Sequence, residues 1–189
     1  MTRAAIAFTV LFGAAIVGLL EVQRPLPMPV PPPAVPALTP YGTIREVMAG
    51  IVDPSSMALF DAVGIEVTTA GIVETAPHTD ADWAALEHSA LALAEAGNLV
   101  KMVNRHVASP AVMDSKGSDP TALVPRQIEE KIAKDPAAFA KYADALSATA
   151  VEAMTFAKAK DVEGLGHTIE AIDKACENCH KVFWYPDGP

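Results

Sequence analysis

The sequence predicts an all-α fold, an antiparallel four-helix bundle, and three observations lead there. Apolar residues recur at steps of three and four over several long stretches after Tyr41. No stretch in that region sustains the alternation of a strand. Helix punctuation falls between the periodic stretches, as in Asp135-Pro136 before one and Pro186 with Gly188 after another.

The periodic region occupies only part of the 189 residues. Eight of the 16 prolines lie between Pro25 and Pro40, so the globular domain is expected to span 41–189. Hydrophobic residues make up 51% of the chain, enough to bury a core. Residues 4–20 carry no charge and follow Arg3, as in an export signal. At the helical rise they reach about 26 Å, close to the ~30 Å of a hydrocarbon core. Segment 1–23 is therefore read either as an uncleaved membrane anchor or as a signal peptide, with Gly13-Ala14-Ala15 as a passable cleavage site. Segment 24–40 cannot form helix or sheet. As polyproline II it would be a stiff tether reaching up to ~50 Å.

Charge narrows the partners. Residues 1–40 carry a net charge of +1 and the remaining 149 carry −10. An acidic domain without a basic cluster repels phosphate backbones, which argues against nucleic acid.

Four helices are expected in the domain. Ile44, Val47, Met48 and Ile51 give an apolar face within 42–63, continued by Met57, Leu59 and Phe60. Asp53-Pro54 interrupts this segment and predicts a kink, or a break with restart capped by Asp53. The second helix opens at Asp80 or Asp82, buries Trp83, Leu86, Ala90, Leu93, Gly97 and Val100, and fades near Arg105. Residues 107–125 form a long loop, with a short turn at Glu129–Lys134. The third helix has Asp135 as cap and Pro136 at its first position, and ends near Lys160. The fourth covers 162–184, with Val162, Leu165, Ile169, Ile172, Cys176, Cys179 and Phe183 on one seam.

The only two cysteines stand in Cys176-Glu177-Asn178-Cys179-His180, the attachment sequence for c-type haem. Thiols three residues apart on a helix lie about 60° from one another, and His180 lies about 40° round from Cys176. One helix face can thus offer Cys176 and Cys179 to two vinyl groups and His180 to iron as proximal ligand. The other readings of the pair fit less well. A redox dithiol wants a helix start after a strand, zinc wants four ligands, and a disulfide within one helix restrains little.

A bundle with this motif in its last helix resembles the cytochrome c prime family, the class II c-type cytochromes. The resemblance covers about residues 41–185 and rests on Cys176-Glu-Asn-Cys-His180 with Val182-Phe183, and on Arg45-x-x-Met48 in the first helix. It implies one covalent haem c. It also places Met48 where the family's distal residue stands, as candidate sixth ligand, with Met57 as second choice. The competing reading is that Met48 is simply core. Arg45 is either a partner for a haem propionate or one half of an exposed salt bridge. The place after Phe183, often Arg in relatives, is Trp184 here, so a cationic propionate partner is missing at that point. Trp184 and Tyr185 are expected to cover the haem edge, Trp83 and Tyr142 to pack as core, and His78, His88, His106 and His167 to lie on the surface.

The expected function is that of a periplasmic, membrane-anchored cytochrome carrying electrons, and not that of an enzyme. Redox proteins or membrane respiratory or photosynthetic complexes would be its partners, and dimers are common in the family it resembles. The alternative is a five-coordinate haem protein that binds nitric oxide or carbon monoxide. The two readings part on whether Met48 binds iron.

Overall fold

A computed structural model of the chain describes residues 38–185. The anchor or signal expected in 1–23 and all but the last three residues of the tether expected in 24–40 lie outside the described residues. Among the described residues no helix is long and apolar enough to cross a membrane.

Helix α1, Ile44–Val47, starts with a capping box: the Thr43 side chain accepts from the Glu46 N–H, and the Glu46 carboxylate accepts from the Thr43 N–H. It runs on through a π-helical segment, Met48–Val52, into α2, Asp53–Phe60. The break expected at Asp53-Pro54 does not occur, and Asp53 is not a side-chain cap. Its backbone is helical at φ −57° and ψ −56°, and its N–H donates to the Met48 carbonyl five residues back. Pro54 has no N–H and its ring crowds the turn before it. A turn widened from four to five residues accommodates both problems without ending the helix.

After α2 comes a structure the sequence reading did not anticipate. Strands β1, Gly64–Thr68, and β2, Gly71–Thr75, form an antiparallel hairpin, with Ile65 opposite Glu74 and Val67 opposite Ile72. Gly71, at φ +133°, supplies the turn conformation that a side chain would oppose.

Helix α3, Asp80–Val100, opens with a second capping box between Thr79 and Asp82. It stops five residues short of the expected Arg105. Arg105 instead folds back, with Nε donating to the Leu99 carbonyl at 2.7 Å and its guanidinium to the Gly42 carbonyl, and Asn104 is left-handed at φ +63°. The long loop contains a 3-10 turn at Pro110–Val112. Helix α4, Pro125–Lys134, starts four residues before the expected short turn because Pro125 suits a first helical position. Helix α5, Pro136–Ala159, is capped by Asp135, whose side chain accepts from the Ala138 N–H, and ends at left-handed Lys160. Helix α6, Val162–Phe183, is capped by Asp161.

The run α1–α2 with α3, α5 and α6 makes the four-helix bundle. Lys160 and Asp161 alone separate α5 from α6, which makes them antiparallel neighbours. Val63, just past α2, lies beside Gly166 at the start of α6. Arg45 and Met48, at the other end of that run, share a cavity with Cys176 and His180. The first helix therefore runs antiparallel to the last. Leu59, Leu93, Leu165 and Ile172 are fully buried, and Ile128 adds the apolar face of α4.

Helices α3 and α5 meet closely at Gly97. A Cβ there would lie 2.7 Å from the Ala143 carbonyl oxygen and would run into Ser147, whose hydroxyl donates to the Ala94 carbonyl at 2.8 Å. Gly97→Ala should therefore destabilise the fold by about 1–3 kcal/mol, read as a lower melting temperature by circular dichroism. An unchanged melting temperature would contradict this packing.

The caps also set a pH dependence. Hydrogen bonds from Thr43 hold the Glu46 carboxyl below its usual range, and those from Thr79 and His78 do the same for Asp82. Groups whose pKa falls on folding stabilise the fold above their unfolded value and cease to do so once protonated. The melting temperature should fall as pH drops below about 4, and less so in Asp82→Ala, which has no carboxylate at that place to protonate.

Candidate functional site

The seam of α6 explains where its sulfur atoms and its imidazole lie. Leu165, Ile172, Ala175 and Phe183 are buried along it, which fixes the rotation of the helix. Val162 at its start is exposed. Phe183 is held edge-on between Phe139 at 5.4 Å and Tyr142 at 6.0 Å between ring centroids. With the helix so placed, Cys176, Cys179 and His180 are half-buried and face two cavities. The larger, about 410 Å³, is lined by Met48, Val52, Phe60, Cys176, His180 and Trp184, with Arg45, Asp53, Ser56 and Asp173 as its polar part. The smaller, about 40 Å³, is wholly apolar at its surface and is bordered by both cysteines, His180, Phe139 and Tyr142. Met48, Val52, Cys176 and His180 line both.

The chemistry of these groups follows from burial. Desolvation pushes the Cys179 thiol up to about 11, with Cys176 adding to the effect, and raises Cys176 as well, helped by Asp173. Both thiols are free. They lack the lowered pKa of an exchanging redox pair. Burial also lowers the pKa of His180, although Glu177 opposes this. At neutral pH its ring is uncharged, the form that binds a metal.

The C-terminal turn encloses His180. Its ring lies 6.0 Å from that of Trp184 and 5.7 Å from that of Tyr185. The Tyr185 hydroxyl donates to Glu177 at 2.8 Å, and Lys181 pairs with the same carboxylate at 3.1 Å. The Trp184 carbonyl accepts from the Leu123 N–H at 2.8 Å, which ties the long loop to this end of α6.

Most expected residues are found near one another. Met48 is half-buried and turned to the cavities, so the π turn does not carry it outward. Met57 is 45% exposed and lines neither cavity, which removes the second choice and corrects its place on the apolar face. Arg45 borders the larger cavity and, among the described residues, makes no ion pair, contrary to the salt-bridge reading. Trp83 is buried and Tyr142 half-buried, while His78, His88, His106 and His167 are exposed. Asp173 and Ser56 were not anticipated. Asp173 precedes Cys176 by one helical turn, a spacing that does place side chains together; Ser56 gives no such signal.

These residues fit a covalently held haem. Two unpaired thiols and a neutral imidazole share one wall, apolar residues make most of the rest, and the one cation of the larger cavity, Arg45, suits a propionate. The family described as Cytochrome C' matches residues 78–184, which hold α3 to α6 and the whole Cys176–His180 motif. The chain belongs to the cytochrome c′ family. No curated protein and no solved structure matches it. The bundle agrees with the family, whose members bind haem c covalently, and this chain is likewise a c-type haem protein carrying one. The matched span excludes Met48 and the π turn.

Thiol burial has a measurable consequence. In the haem-free folded chain, alkylation of Cys179 by iodoacetamide at pH 8 should be about a hundredfold slower than in the unfolded chain, as a rise from 9.0 to about 11 removes that much thiolate. Equal rates would show that the thiol is not buried.

Proposed function

We propose that this chain is a periplasmic electron carrier in which Cys176 and Cys179 hold the haem, His180 is the proximal iron ligand and Met48 the sixth. The observation that supports this most is that Met48, from the first helix, lines the same two cavities as His180. When bound, the haem supplies one iron that gains and loses a single electron. The chain's residues set the terms of that exchange. With His180 and Met48 both bound, no iron position would be open to a substrate, and the chain would carry electrons and not act as an enzyme. Arg45 would pair with a propionate, and Asp53 and Asp173 would add negative charge near the haem. Such charge favours the oxidised form, so Asp173→Asn should raise the midpoint potential in a redox titration; a lowered potential would contradict the reading.

Residues 1–23 as a membrane anchor and 24–40 as a tether would confine the domain near membrane complexes, at high effective concentration. The net charge of −10 on the domain favours partners with basic docking faces and gives rates that fall with added salt.

Absorption spectra of the protein, oxidised, reduced, and reduced under carbon monoxide, test this reading. A low-spin reduced spectrum that carbon monoxide barely changes, and that Met48→Ala converts to high spin, is the expected result. A high-spin spectrum that shifts with carbon monoxide would instead support gas binding at an open iron. Replacing both Cys176 and Cys179 with alanine should abolish haem that survives acidified-acetone extraction, and retained haem would refute the attachment.

A further inference from the structure

The hairpin is unused by the bundle and by the haem site. All ten of its residues except Thr68 are exposed. Register places Ile65, Val67 and Ile72 on one face with Glu74 at its edge, and the three apolar side chains are 72, 79 and 69% exposed. Large β-branched side chains left together in water cost free energy, and contiguous apolar patches on a soluble domain usually mark contact sites. A two-stranded sheet is marginal alone and gains from a third strand. Among the described residues both its edges are unpaired, and no lysine, arginine or proline in either strand blunts them.

Charge decides what covers it. Between Asp61 and Asp82 the chain holds Asp61, Glu66, Glu74, Asp80 and Asp82 and not one lysine or arginine. Among the described residues only Asp80 has a cation beside it, Lys160. A second copy would bring five more carboxylates against these, and an anionic lipid surface would repel them in the same way. A cationic partner fits. The β1 edge is the better one, because Ile65 and Val67 share one face while Glu66 and Thr68 share the other; on β2 the apolar and acidic residues are mixed. At the foot of β2 a groove begins at Thr75. It is lined by small residues, Ala58, Ala62 and Ala85, and by the acidic Asp61 and Asp82. It has room for the end of a basic side chain.

We propose that the hairpin is a docking arm for a partner protein, which adds an extended segment of alternating apolar and basic residues to the β1 edge. Its apolar side chains cover Ile65, Val67 and Ile72, and its lysines or arginines lie beside Glu66 and the acidic foot of the arm. This does not depend on the haem's role.

The test uses the full chain with its haem and three fluorescein-labelled peptides, read by fluorescence anisotropy: one alternating Val and Lys, one of the same composition in blocks, and one alternating Val and Glu. The alternating basic peptide should bind at least about tenfold more tightly than either other. Ile65→Ser with Val67→Ser should weaken it about tenfold or more, the loss of roughly 1.4 kcal/mol of apolar burial. Glu66→Lys should reduce the preference for the basic over the acidic peptide, with the haem spectrum unchanged in both variants as proof of folding. Equal binding of the alternating and block peptides, or binding unaffected by the serine variant, would overturn the proposal. So would a dimer of the full chain that the serine variant converts to monomer, since a second copy would then be the occupant.

Discussion

The wall of α6 between Cys176 and His180 must satisfy two demands that pull against each other. It belongs to the seam that holds the bundle together, yet it has to leave space. The chain resolves this by burying the residues on either side, Ile172 and Ala175 before and Phe183 after, while leaving the three motif residues half-covered. Packing on both sides of the motif fixes the rotation of α6. The edge-on contacts of Phe183 with Phe139 and Tyr142 hold the position after the motif, so the thiols and imidazole arrive already aimed.

The first helix meets the same cavities by a different device. Pro54 would ordinarily end or bend it, and the wide turn from Met48 to Val52 takes up that disturbance. Met48 begins this turn, next to the buried Val47 that anchors α1 in the core. The turn that absorbs Pro54 thus begins with Met48 itself. Backbone irregularity of this kind is tolerated because Ser56 and Asp53 supply compensating hydrogen bonds, from the Ser56 hydroxyl to the Asp53 carbonyl and from the Asp53 N–H to Met48.

Long helices were legible in the sequence because their seams repeat often enough to outweigh local exceptions. The caps at Asp135 and Asp161 and the ends of α5 and α6 fell where expected, within a residue or so. Short elements were not legible. The hairpin is rich in β-branched residues, with Ile65 and Val67 alternating, but each strand has five residues and almost no burial, so its alternation is too short to stand out against the long helical seams. Thr79, not an aspartate, caps α3, because the carboxylate of Asp82 is needed three residues later to complete the box. In the site, the motif gave Cys176, Cys179 and His180 directly. Asp173 was signalled by its place one turn before Cys176, whereas Ser56 and the release of Met57 to solvent depend on how two helices are rotated against each other, which no single-helix periodicity fixes.

Iron K-edge X-ray absorption on the oxidised protein measures the iron's neighbours without reference to any partner. Because Met48 and His180 line the same cavities, the account predicts a six-coordinate iron with one sulfur neighbour, lost in Met48→Ala. An iron with nitrogen neighbours alone, unchanged by that substitution, would contradict it.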